Sequence, residues 1–189
     1  MTIVAIPPWT PDGVLPPVNV DDPVGAERSP YQVSLVDVVL RFGTSPERRN
    51  ILEGFLNLRK RLHENGFVDG FHWIDGSFLE DVELIDKRPP ADVDVVTFTS
   101  APADLAVNQS VLAIFDHDFV KREYRVDHYF VELNLPSRQL IAQAAYWSSV
   151  WSHRRSMQWK GFLQVELDPS VDAVAVENLK TREREETAE

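Results

Sequence analysis

Residues 73–98 read WIDGSFLEDVELIDKRPPADVDVVTF. Phe71 to Asp75 is apolar and aromatic enough for a short strand, which Gly76-Ser77 breaks. Ser77 to Glu83 is a helical turn, and Asp86 to Ala91, with Pro89-Pro90, is a loop. Asp92 to Thr99, DVDVVTFT, has the composition of a buried strand. Residues i and i+2 of a strand project from one face, so Asp92 and Asp94 point together while Val93 and Val95 face the other way. Two carboxylates held that close raise each other's pKa, and a divalent cation relieves the repulsion. Mg²⁺ (or Mn²⁺) takes oxygen ligands, commonly one or two carboxylates plus substrate phosphates. Taken alone, an Asp-x-Asp is more readily a strand start where acids meet solvent. The Gly76-Ser77 step has two readings as well. A glycine at a strand end admits a ligand close to the backbone, and a serine hydroxyl with N–H groups entering a helical turn can hold a phosphate. An ordinary turn would look the same.

A third acid lies further along. Asp127 interrupts RVDHYFVEL (Arg125 to Leu133), an otherwise β-forming run, and an acid in mid-strand is costly unless paired, metal-bound or exposed. If this strand lies beside that of Asp92, three carboxylates converge. They can hold two divalent ions ~3.5–4 Å apart, as in two-metal phosphoryl chemistry, or the third can deprotonate an attacking hydroxyl.

The charge distribution points to a second feature. The 189 residues carry 19 basic and 30 acidic side chains, a net charge of −11. This argues against a protein that coats nucleic acid by charge. Yet Leu133 to Val165 contains no Asp or Glu, where average composition would place about five. The stretch holds Arg138, His153, Arg154, Arg155 and Lys160, interleaved with Trp147, Trp151 and Trp159. Arg154, Arg155 and Lys160 suit a triphosphate or pyrophosphate, and the indoles could stack a base. Trp147 and Trp151, spaced i and i+4, are equally a core stripe.

Around these segments the chain reads as one domain, residues 1–176, with a Pro-rich arm (1–30) and a charged tail (177–189) that is helical or disordered. Seven of 13 prolines lie in the first 30 residues, among Trp9, Val14, Leu15 and Val18, so the arm should be extended and packed on the surface. Ser45-Pro46 starts a helix, with Ile51, Leu52, Phe55, Leu58 and Leu62 on its apolar stripe and Gly66 ending it. Its Arg48, Arg49, Lys60 and Arg61 read as a solvated face. Leu105 to Phe115 and Ser137 to Trp151 are further helices, and Lys160 to Leu167 is the last strand. The order implies an α/β (α+β) fold, a single mixed sheet flanked by helices. With no cysteine, disulfides, thiolate zinc and a Cys nucleophile are excluded. The histidines lack zincin spacing, and His117, between Asp116 and Asp118, could bind a metal, although a solvated loop is the better reading. No apolar run has the length of a membrane span and Met1 to Thr10 does not read as a signal peptide, so a cytoplasmic protein is expected.

Gly-Ser after a strand, Asp-x-Asp on the next and a third acid on a later one resembles the nucleotidyltransferase superfamily, the DNA-polymerase-β-like fold. More closely, IPPWTPDGVLPP, HWIDGSF, DVDVVTF, VDHYFVEL, YWSSVWSHRR and WKGFLQVEL resemble a bacterial family of short nucleotidyltransferase-like proteins. The resemblance implies Gly76 and Ser77 at nucleotide phosphates, and Asp92, Asp94 and Asp127 as metal-binding and catalytic acids. It implies Mg-dependent transfer of a nucleoside monophosphate from a nucleoside triphosphate to a hydroxyl of a protein, an RNA or a small molecule. Arg154, Arg155 or Lys160 would neutralise the leaving phosphates. The rival is a catalytically weak or inactive nucleotide-binding or regulatory module acting through a protein partner, as in a toxin–antitoxin or defence system. A metal-dependent phosphohydrolase ranks last, because no suitably spaced histidine joins the acids.

Overall fold

A computed structural model describes residues 3–187. The first two residues of the arm and the last two of the tail lie outside the described residues. Five strands make one mixed sheet: β1 (Tyr31–Gln32), β2 (Gly70–Asp75), β3 (Val93–Thr99), β4 (Val126–Glu132) and β5 (Leu163–Glu166), ordered β1-β5-β2-β3-β4. β2 is antiparallel to both β3 and β5, while β3 and β4 run parallel, as do β1 and β5. Seven helices among the described residues complete an α+β fold: α1 (Leu35–Phe42), α2 (Pro46–Glu64), α3 (Val82–Ile85), α4 (Gln109–Ile114), α5 (His117–Tyr124), α6 (Ser137–Trp151) and α7 (Asp172–Thr187). No helix among them is long and apolar enough to cross a membrane.

Helix α2 begins as its sequence dictates. Ser45 accepts the Arg48 N–H and Pro46 opens the first turn. Its stripe Ile51, Leu52, Phe55, Leu58 and Leu62 is buried, and Phe55 meets the His72 ring at 5.4 Å on one sheet face. Helix α6 lies on the other, with Trp147 against Tyr129 and Trp151 against Phe162.

Several expectations need correction. Arg48 and Arg49 are not solvated but buried, at 1% and 6% exposure. The Arg48 guanidinium bonds both oxygens of Glu83 and the carbonyls of Phe78 and Glu80, so four of its five N–H groups have partners where it lies. His117 is no loop residue: Asp116 caps α5, and His117 is its first residue. The helix expected from Leu105 starts only at Gln109, where Asn108 supplies the cap. Strand β1 and helices α1 and α5 were not expected from sequence, although α1 carries its signals, Leu35, Val38, Val39 and Phe42 at helical spacing behind the Ser34 cap. The described part of the charged tail is helical, within α7.

The arm packs along the domain. Val14 and Leu15 are buried, and the Trp9 indole donates to the Leu79 carbonyl at 2.7 Å. Arm and α2 thus both grip the segment that follows Gly76-Ser77.

Candidate functional site

Register brings the acids together. Asp75 at the end of β2 lies opposite Asp94 of β3, and Asp94 opposite Asp127 of β4. Residues paired across neighbouring strands share a face, so three carboxylates form a row across the sheet. Asp92, two residues before Asp94, joins them: Lys121 Nζ lies 2.9 Å from Asp92 Oδ2 and 2.6 Å from Asp127 Oδ2. The structure thus groups Asp92, Asp94 and Asp127 and adds Asp75.

The glycine beside them is required twice over. Gly76 has φ +87°, where side chains are strained, and a β-carbon on it would sit 2.6 Å from Asp94 Oδ2. Backbone and carboxylate therefore touch at the strand end. Ser77 follows as the first residue of a 3-10 turn, Ser77–Leu79.

Each acid has a different environment. Asp75 is 3% exposed. Burial pushes its pKa up to about 7, with Lys160 at 2.9 Å opposing the shift and Asp94 adding to it. Asp94 is raised to about 6, first by burial and then by Asp127 and Asp92, and no ion pair reaches it among the described residues. Burial alone would raise Asp127 too, but its bonds to Lys121 and to His117 Nε2 (2.7 Å) outweigh that and hold it below the usual carboxylate range. The same contacts, Asp127 foremost, raise His117 and Lys121. His117 and Lys121 stand four residues apart, on one side of α5, and both reach Asp127.

The cations singled out in the sequence divide. Lys160 is 6% exposed and bridges Asp75 and Glu80, at 2.9 and 3.2 Å. Burial pulls its pKa down, and the two carboxylates more than offset this. Arg154 pairs with Glu80 at 2.7 Å. Both therefore brace the segment behind Gly76-Ser77 through Glu80. Arg155 is exposed, with no ion pair among the described residues. Trp151 is buried and Trp147 packs partly on the core, whereas Trp159 is 67% exposed.

Sequence reasoning missed Asp75, Glu80, His117 and Lys121. Asp75 had a signal: an acid closing an apolar strand directly before Gly-Ser. The other three are found only through contacts between distant segments.

The donor chemistry suits a divalent ion, because three carboxylates share one face and Asp94 feels Lys160 and Lys121 only from beyond ion-pair distance. As the side chains stand, Lys121 and His117 take the oxygens of Asp127, and Lys121 also holds Asp92. Among the described residues no three acids or histidines are grouped as ligands. Asp92 and Asp127 would have to exchange Lys121 for the ion.

The fold and site define an α+β protein whose sheet ends in a row of carboxylates beside a Gly-Ser turn. Residues 7–166 match the family described as a family of unknown function (DUF6932), and the chain belongs to it. No curated protein and no solved structure matches the chain.

Proposed function

We propose that the chain is a nucleotidyltransferase that moves a nucleoside monophosphate from a nucleoside triphosphate to a hydroxyl acceptor. The observation carrying this reading is the continuous row Asp75, Asp94 and Asp127, with Asp92 alongside, packed against a Gly-Ser turn whose glycine touches Asp94. Ser77 and the turn's backbone would receive the triphosphate. Asp92, Asp94 and Asp127 would hold Mg²⁺ or Mn²⁺, which when bound screens the phosphate charge and polarises the reacting phosphoryl group. The acceptor oxygen bonds to the α-phosphorus, the bond to the bridging oxygen of the β-phosphate breaks, and pyrophosphate leaves. The hydroxyl proton passes to the Asp127–His117 pair. Arg155 is a cation available to the leaving phosphates. Lys160 and Arg154 hold Glu80, and with it the chain behind the turn.

One observation favours the alternative, a binding or regulatory module without turnover. Lys121 and His117 already neutralise Asp127, and Lys121 also pairs with Asp92.

Calorimetric titration of ATP, GTP, CTP and UTP, with and without Mg²⁺, tests the proposal. Metal-dependent binding by the wild type that is lost in Asp92→Asn/Asp94→Asn is the expected result. A folded wild type that binds none of the four overturns it.

A further inference from the structure

Tyr129 stands two residues after Asp127 on β4, so both side chains leave the same face of the sheet. Its hydroxyl donates to the Asp127 carboxylate. The ring is held between Trp147 of α6, at 4.8 Å between centroids, and His117 of α5, at 5.3 Å. His117 in turn bonds Asp127 Oδ1 through Nε2. Three elements therefore fix one phenol against the third acid of the row. The residue nevertheless stays open to solvent, at 39% exposure.

Other hydroxyls are placed differently. The Tyr31 hydroxyl donates to the Pro16 carbonyl. Thr97 lies between His72 and His128 on the opposite face of the sheet. Tyr146 is exposed on α6, with its ring against Trp147. Among the described residues, no other side-chain hydroxyl bonds Asp75, Asp94 or Asp127.

Transfer of a nucleoside monophosphate needs an acceptor oxygen next to a group that takes its proton. The Asp127–His117 pair is that group in the proposed reaction, and the Tyr129 oxygen is already bonded to it. A hydroxyl held in place makes the step unimolecular, and effective molarities of ~10⁵ M or more are reached by well-oriented groups. Tyrosine is also among the side chains that form covalent intermediates in enzymes.

We infer that Tyr129 is an acceptor for its own chain, so that the protein nucleotidylates itself on this hydroxyl. The inference rests on the nucleotidyltransferase reading and names an acceptor for the same site. Tyr129 Oη bonds to the α-phosphorus of a nucleoside triphosphate. The bond from that phosphorus to the oxygen bridging to the β-phosphate breaks, and pyrophosphate leaves with the electron pair. The phenol proton passes to the Asp127–His117 pair. The product is a tyrosyl phosphodiester beside Asp127, and one hydroxyl takes one nucleotide, so the reaction stops at one per chain.

Incubation with ATP, GTP, CTP or UTP and Mn²⁺ or Mg²⁺, followed by intact and peptide mass spectrometry, tests it. The tryptic peptide Val126 to Arg138 carries Tyr129 as its only tyrosine. The expected result is a gain of one nucleoside monophosphate per chain on that residue, at a rate per molecule independent of protein concentration. Tyr129→Phe should gain none. It should keep the metal-dependent nucleotide binding of the wild type in calorimetry, since the ring and its packing on Trp147 remain. Tyr146→Phe should be modified like the wild type. A wild type that binds nucleotide and metal but gains no mass overturns the inference and leaves the nucleotidyltransferase reading standing. So does a modification that maps elsewhere, persists in Tyr129→Phe or quickens with protein concentration. A folded wild type that binds none of the four nucleotides overturns both.

Discussion

Asp94 is half-buried beside the carboxylates of Asp75, Asp92 and Asp127, and no ion pair reaches it among the described residues. Its pKa of about 6 in the folded chain, against 3.8 as the reference, means that folding works against its ionisation. A raised carboxylate subtracts from stability above its folded pKa and subtracts nothing below its unfolded one. Asp94→Asn should therefore stabilise the protein by on the order of 2 kcal/mol at pH 8, with no gain at pH 3.5. Urea midpoints at the two pH values check this, and an equal gain at both would show that charge is not the cause. Lys121 presents the opposite case. It joins Asp92 to Asp127, and being part-exposed it contributes about 1 kcal/mol after solvent screening. Lys121→Met should lower stability by that amount near neutral pH. If the carboxylates take a divalent ion, the same variant should bind Mn²⁺ about tenfold more tightly, since no internal cation competes. Titration calorimetry of Mn²⁺ reads the difference, and equal affinities would mean that Lys121 does not occupy the ion's place.

At the level of elements, the segment after Gly76 is held from three directions. Arg48 comes from α2, Trp9 from the arm, and Lys160 with Arg154 grips Glu80 from the chain between α6 and β5. These contacts place Gly76 against Asp94 although the linker to β3 is long and proline-bearing. Arg48 matters most, because its guanidinium satisfies Glu83 and two buried carbonyls at once. Arg48→Ala should cost ~2–4 kcal/mol, because the Phe78 and Glu80 carbonyls lose their donor while Glu83, 36% exposed, is left to water. Arg48→Lys should recover only part of that, since an ammonium lacks the planar fork. Denaturant unfolding of the two variants gives the comparison, and a loss under 1 kcal/mol for Arg48→Ala would show that the segment is held without it. The stripe of Ile51, Leu52, Phe55, Leu58 and Leu62 was legible because period 3.6 survives in sequence. The burial of Arg48 was not: its partners lie some 30 to 35 positions away, and no local pattern distinguishes a buried paired arginine from a solvated one.

Over the whole molecule, two sets of buried groups set the response to pH. His72 and His128 flank Thr97, at 2.9 and 2.6 Å, beneath α2. Burial drives His72 well below its usual value and His128 to about 3. Both are neutral when folded, so between pH 6.5 and 4 the unfolded chain binds two more protons at these sites. Asp75 and Asp94, raised to about 7 and 6, bind theirs in the folded chain over nearly the same interval. The effects oppose, and stability should stay nearly level from about pH 7 to 4. Below about pH 4 the unfolded chain binds protons on Asp127, Glu83 and Asp172, all depressed in the fold, and stability should fall steeply. A pH series of urea midpoints shows the plateau or its absence. In Asp94→Asn the plateau should tilt, with loss beginning below about pH 6.5 as the histidines go uncompensated.

Much of the carboxylate row was already determined by DVDVVTFT and RVDHYFVEL. Strands alternate with period two, so Val93 and Val95 on one face put Asp92 and Asp94 on the other, and Val126 does the same for Asp127. The helix of Ser45-Pro46, the break at Gly76 and the mixed sheet follow from equally local rules of capping, chain geometry and periodicity. Tertiary structure decided what those carboxylates face. Only the packing of α5 beside β4 sets Lys121 and His117 on Asp127. Only the return of the chain as β5 brings Lys160 beneath Asp75, which turns two expected phosphate ligands, Lys160 and Arg154, into struts for Glu80. Periodicity governs which way a side chain points. Ion pairs and the burial of charge depend on which distant segment arrives opposite, and that is set by the fold as a whole.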